Sequence, residues 1–136
     1  SSLFKALWNE DVSSLSELIS DLLFETISYH DYAESFYHAF LAGLFTNAGY
    51  IVESNYESGL GRPDLVIKDK KKRQAVIIEI KIADSMQSLQ KSAEKAMDQI
   101  EDMRYADGIF AQGYQKVIKY GAAFYRKNCL ISKSEV

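Results

Sequence analysis

One cysteine, one proline and no long apolar run set the first limits on this 136-residue chain. Cys129 has no second cysteine to pair with, so an internal disulfide is excluded and a reducing compartment, the cytoplasm, is expected. Its strand-like surroundings supply no activating neighbour, which makes it a buried thiol rather than a nucleophile. With Pro63 alone there is no proline-rich linker, and repeats and low-complexity tracts are also missing. No stretch is apolar for long enough to span a bilayer and no secretory leader opens the sequence, so no membrane partner is expected. Positive charge is not in excess either. The net charge of −3 argues against a broad electrostatic grip on nucleic acid, while leaving room for a local basic groove.

A hydrophobic fraction of 47% in a chain of this length supports one domain, residues 1–136, with a core that needs no staples. The chain starts Ser1-Ser2 without a methionine, which reads as the C-terminal fragment of a longer protein.

Hydrophobic periodicity lays out an α/β order. Ser14 and Glu17 form a capping-box start for a helix with its stripe on Leu15, Leu18, Ile19, Leu22, Leu23 and Ile27. A second helix is predicted from about Asp31 to Ala48, closed by Gly49. Strands follow at roughly Tyr50 to Tyr56, Asp64 to Lys68 and Gln74 to Ile82, the first two linked through Gly59-Leu60-Gly61. A third helix starts at Asp84 or Ser85, buries Leu89, Ala93, Ala96, Met97, Ile100 and Met103, and ends at Tyr105. Strands at about Val117 to Tyr125 and Cys129 to Ser132 finish the chain.

Charges set into those strands point to chemistry. Asp64 opens the run Leu65-Val66-Ile67, and Glu79 and Lys81 close the run Ala75-Val76-Ile77-Ile78. Buried charges need a partner or a metal. Side chains alternate along a strand, so Glu79 and Lys81 share a face, as do Asp64, Val66 and Lys68. A hairpin centred on Lys71-Lys72, with a loop from about Asp69 to Arg73, sets Asp64 opposite Glu79 and Val66 opposite Ile77; a one-residue slip would separate the acids. Asp64 and Glu79 are thus candidate ligands for Mg²⁺ or Mn²⁺, hard ions that prefer carboxylate oxygen. The rival reading is a surface hairpin in which Lys81 merely neutralises Glu79.

Pro63-Asp64, a spacer, then Glu79-Ile80-Lys81 resembles the pattern of the PD-(D/E)xK nuclease superfamily. Five blocks in order strengthen the likeness: Glu34-Ser35-Phe36-Tyr37-His38, Gly59 to Asp64, Ile78 to Lys81, Ala96 to Ile100 with Tyr105, and Gly121-Ala122-Ala123-Phe124. The set is similar to the bacterial family in which this domain follows an AAA-ATPase-like region. The resemblance implies a restriction-endonuclease-like core, a central mixed β-sheet flanked by helices in the order α-α-β-β-β-α-β-β. It further implies a metal-dependent nuclease that hydrolyses DNA phosphodiester bonds, DNA being favoured over RNA. Asp64, Glu79 and the backbone carbonyl of Ile80 would hold the ion, Lys81 would assist the nucleophile, and Glu34 and Gln99 would complete the catalytic set. Glu34 has a rival role, reaching back to Asp31 as a capping box, and solvent exposure explains Gln99 and Tyr105 almost as well. Arg62, which follows two glycines and adjoins Asp64, is a phosphate-contact candidate, with His38 and Tyr105 as further ones; the Lys70 to Arg73 run reads as a solvated tip. Two alternatives stand beside the enzyme: a catalytically silent module that partners an ATPase-like domain, and a homodimer that recognises branched DNA.

Overall fold

The centre of the molecule is the strand that the sequence makes most apolar. A computed structural model describes residues 2–26, 33–55 and 61–134. Within them β1 (Ile51–Ser54), β2 (Leu65–Asp69), β3 (Gln74–Ile82), β4 (Lys116–Tyr125) and β5 (Asn128–Lys133) form one sheet in chain order. β3 pairs antiparallel with β2 and parallel with β4, so the sheet is mixed. Ala75 to Ile80 are buried, as a strand covered on both faces requires.

The two covers differ. On one face α1 (Ser2–Trp8), α2 (Val12–Thr26) and α3 (Glu34–Thr46) pack over Leu65, Ile67, Val76, Ile78 and Ile80. On the other, α4 (Leu89–Asp102) and α5 (Tyr105–Ala111) bury Val66, Ala75 and Ile77. Each fully buried aliphatic side chain contributes roughly 1.5–3 kcal/mol. The parallel β3–β4 pair needs a crossover, and α4 and α5 supply it. None of the helices in the described residues is long and apolar enough to cross a membrane.

The edge strand β5 is closed by serines. Ser16 Oγ accepts from Ile131 N at 2.9 Å, and Ser20 Oγ accepts from Cys129 N at 2.9 Å. The backbone groups that would otherwise invite another strand are thereby satisfied from α2. Cys129 is buried, and burial pushes its thiol well above the ordinary range.

Several expectations need correction. α2 starts at Val12, capped by Asp11, whose Oδ1 accepts from Ser14 N at 3.2 Å; Asp11 takes the capping role expected of Ser14. α1 was not anticipated, since seven residues offer too few periodic positions to be read. α3 begins at Glu34 behind an N-cap at Ala33 that makes no side-chain cap bond, while Asp31, Ile27, Tyr56, Gly59 and Leu60 lie outside the described residues. The expected third helix is two helices behind a 3-10 turn at Met86–Ser88. Tyr105 lies five residues after Ile100, or about 140° round a straight helix, and would face away from the sheet. Arg104 in a left-handed conformation (φ 54°) re-aims the chain so that Tyr105, Ala106 and Ile109 are buried, and leaves Met103 exposed. The element order is therefore α-α-α-β-β-β-α-α-β-β.

Candidate active site

The β2–β3 hairpin fixes the position of Asp64. Val66 stands opposite Ile77 and Leu65 opposite Ile78, which puts Asp64 level with Glu79. The turn spans residues 70–73, with Asp69 paired to Gln74 and Arg73 left-handed at φ 55°. Lys70, Lys71 and Lys72 are exposed there.

At the other end of the hairpin each acid grips the backbone across from it. Asp64 N donates to Glu79 Oε1 at 2.9 Å, and Ile80 N donates to Asp64 Oδ2 at 2.8 Å. Asn55 holds the same spot from the β1 side: its amide N donates to Asp64 O at 2.9 Å and its Nδ2 to Pro63 O at 2.9 Å. Nothing in the sequence reading singled out Asn55; its place at the end of a strand beside the Pro63-Asp64 segment was the available signal.

Gln99 on α4 joins the next two charges. Its Nε2 donates to Glu79 Oε2, and its Oε1 accepts from Lys81 Nζ at 2.7 Å. Lys81 therefore reaches Glu79 through an amide rather than as a direct ion pair. α4 comes this close because β4 carries Gly121 opposite Glu79: a Cβ there would lie 2.2 Å from Ala93 O and 2.8 Å from Met97 N. The block Gly121 to Phe124 was visible in sequence, but the reason for its glycine appears only in the packing.

Electrostatics follow from this crowding. Glu79 is 2% exposed, and burial pushes its carboxyl up to about 7, helped by the negative charge of Asp64 and restrained by the Asp64 N–H and by Lys81. His38 on α3, also buried, brings Nε2 to 3.7 Å from Asp64 Oδ1. Burial lowers its pKa, while the charges of Asp64 and Glu34 pull the other way.

The structure thus brings together Asp64, Glu79, Lys81, Gln99 and His38, with the backbone of Ile80 in the same network. Glu34 is exposed one turn before His38 and within electrostatic reach of it. Arg62 is exposed beside Pro63, and Tyr105 is buried at the start of α5; both line a groove next to Asp64 rather than the Glu79–Gln99–Lys81 chain. Among the described residues, no group of three or more His, Cys, Asp and Glu side chains is arranged to hold a metal ion. Two carboxylates are what the site offers, and each keeps lone pairs beyond its N–H bonds.

A sequence model of the PD-(D/E)XK nuclease superfamily matches residues 32–134, the span that holds every one of these side chains. No curated protein and no solved structure matches the chain.

Proposed function

The chain belongs to the PD-(D/E)XK nuclease superfamily, and from that premise we propose that it is a Mg²⁺- or Mn²⁺-dependent nuclease acting on DNA phosphodiester bonds. The observation that carries this reading is the closed network in which Asp64, Glu79 and Lys81 are held within one set of hydrogen bonds. The donor chemistry fits a hard divalent ion, which takes one or two carboxylates and keeps its remaining positions for water. Asp64, Glu79 and the Ile80 carbonyl would hold it. A bound divalent ion supplies positive charge that polarises the phosphate and acidifies water.

The chain's own residues do the rest. Gln99 holds Glu79 and Lys81 at a fixed separation, so the ammonium stays beside the phosphate instead of collapsing onto the carboxylate. Lys81 stabilises charge that builds up in the transition state. The buried His38 lies 3.7 Å from Asp64 Oδ1 and walls that carboxylate from α3, while the Ile80 N–H bond sets its direction. Glu34, exposed near His38, completes the polar rim, and Arg62 meets the flanking phosphate.

The test is incubation with linear, supercoiled and branched DNA in Mn²⁺, Mg²⁺ or chelator. Metal-dependent cleavage that disappears in Asp64→Ala and Lys81→Ala is expected. Equal cleavage by the variants would refute the assignment of these residues. Absence of cleavage, with no Mg²⁺ or Mn²⁺ uptake by calorimetry, would favour the silent interaction module.

A further inference from the structure

A cavity lies beside the Pro63-Asp64 segment. It is a groove of 550 Å³ between the end of β1, the Gly61-Arg62-Pro63 segment and α5. We propose that this groove seats one unpaired nucleotide of the bound DNA strand, so that the protein acts on single-stranded or frayed DNA rather than on intact duplex. This rests on the nuclease reading above.

Size is the first argument. The volume lies within the range of small-molecule sites and suits a nucleotide, whereas a duplex needs a broad surface. The positive charges lining the groove are Arg62 and Arg104, with Glu53 beside them, which is little for a duplex. The lysine tip at Lys70–Lys72 is six residues from Asp64 along an extended strand, about 20 Å away.

Lining chemistry is the second. Pro63 gives an apolar wall beside Tyr105 and Ile109, both of which are largely buried in the core. Two amides face a ligand with fixed polarity. Gln112 Oε1 accepts from Lys68 Nζ at 2.9 Å, which leaves its Nε2 to donate. Asn55 Nδ2 donates to Pro63 O at 2.9 Å, which leaves its Oδ1 to accept. One locked donor and one locked acceptor match a base edge freed from its partner strand. Arg62 is placed for the phosphate between this nucleotide and the scissile bond, because it adjoins Pro63-Asp64.

Gly108 makes the proposal testable. It lies in α5 against the groove, and a Cβ added there would meet nothing within 4 Å. Gly108→Phe would plug the groove while improving helix propensity, so the variant should fold. Binding is read without metal, by anisotropy of a short fluorescein-labelled oligodeoxynucleotide, single-stranded or annealed to its complement. Circular dichroism checks that each variant is folded.

The wild-type chain should prefer the single strand. Gly108→Phe should weaken single-strand binding about tenfold, the loss of about 1.4 kcal/mol from one excluded base, and Arg62→Ala should weaken it by a smaller factor. Equal affinity for duplex and single strand, no binding to either, or a folded Gly108→Phe that binds the single strand like wild type would overturn the proposal. The two readings can fail separately. Groove-dependent binding without cleavage in Mn²⁺ removes the catalytic reading and keeps the groove. Cleavage with no single-strand preference does the reverse.

Discussion

Strand β2 has a polar cluster at each end, and the two are balanced differently. At the Lys68 end one cation, 9% exposed at the side chain, pairs with Glu53 at 2.7 Å, donates to Gln112 and lies over the Tyr114 ring at 5.7 Å. One positive charge meets one negative charge, and the cluster pins β1 and α5 to the sheet. At the Asp64 end two carboxylates share one ammonium, which reaches Glu79 through Gln99, and burial keeps His38 towards its neutral form. Burial is thus left uncompensated at Glu79, whose carboxyl rises to about 7 mainly through that burial, with the charge of Asp64 adding to it. Burial of charge alone therefore does not mark a site in this molecule. Imbalance does, because a group pushed away from its ordinary pKa is one that a ligand can relieve.

The largest expected effects separate the two ends by activity. Asp64→Ala should abolish metal-dependent DNA cleavage, and Lys81→Ala should lower its rate by about 10²–10³, the usual cost of removing one preorganised transition-state contact. Lys68→Met should leave the rate near wild type. Rates measured side by side at saturating Mn²⁺ check all three. Full activity in Lys81→Ala would place the site elsewhere.

Stability comes next, through Gly121. A methyl group at this position collides with the backbone of α4, so Gly121→Ala should cost about 1–3 kcal/mol or more in denaturant unfolding. The shift in α4 would also move Gln99, so cleavage should fall in protein that is still folded. An Ala variant as stable as wild type would show that the helix moves without penalty.

Much of this was legible from residue patterns, and the exceptions have identifiable causes. The Asp64–Glu79 alignment follows from counting along two strands, because a hairpin with a short turn has one register that buries Val66, Ile77 and their neighbours together. The order of apolar runs carried only an α/β layout, and the mixed sheet was implied by the resemblance of the motif blocks. The break at Arg104 was written in the phase of Tyr105, Ala106 and Ile109 relative to Ile100, but a continuous helical composition concealed it. The roles of Gln99 and Gly121 depend on how near one helix comes to one strand. That distance is a property of packed layers, and no periodicity encodes it.

Glu79 gives a pH-dependent contrast of intermediate size. The folded protein holds its proton more tightly than the unfolded chain, whose value is the ordinary 4.5. Its contribution to stability is complete below about pH 4.5 and is lost as pH rises through about 7. Thermal melts of metal-free protein from about pH 5 to about pH 8 should show this loss, and Glu79→Gln should remove that part of the slope. Mg²⁺ prefers the ionised carboxylate, so the melting temperature it adds should grow across the same window. A Mg²⁺ increment that does not change with pH would separate Glu79 from the ion.

The smallest effect is the sharpest test of balance. Lys68→Met removes a buried ammonium and keeps an unbranched stem of similar length to pack against Tyr114. Its partner Glu53 is 47% exposed at the side chain, so the abandoned carboxylate can be hydrated where it stands. The expected change in the urea midpoint corresponds to no more than about 1 kcal/mol, since the pair is only half removed from solvent. A loss of about 3–5 kcal/mol, the penalty for orphaning a fully buried charge, would mean that Glu53 is held out of water by α5. The Lys68 end would then depend on its cation as strictly as the Asp64 end depends on relief of its excess negative charge, and imbalance would no longer distinguish them.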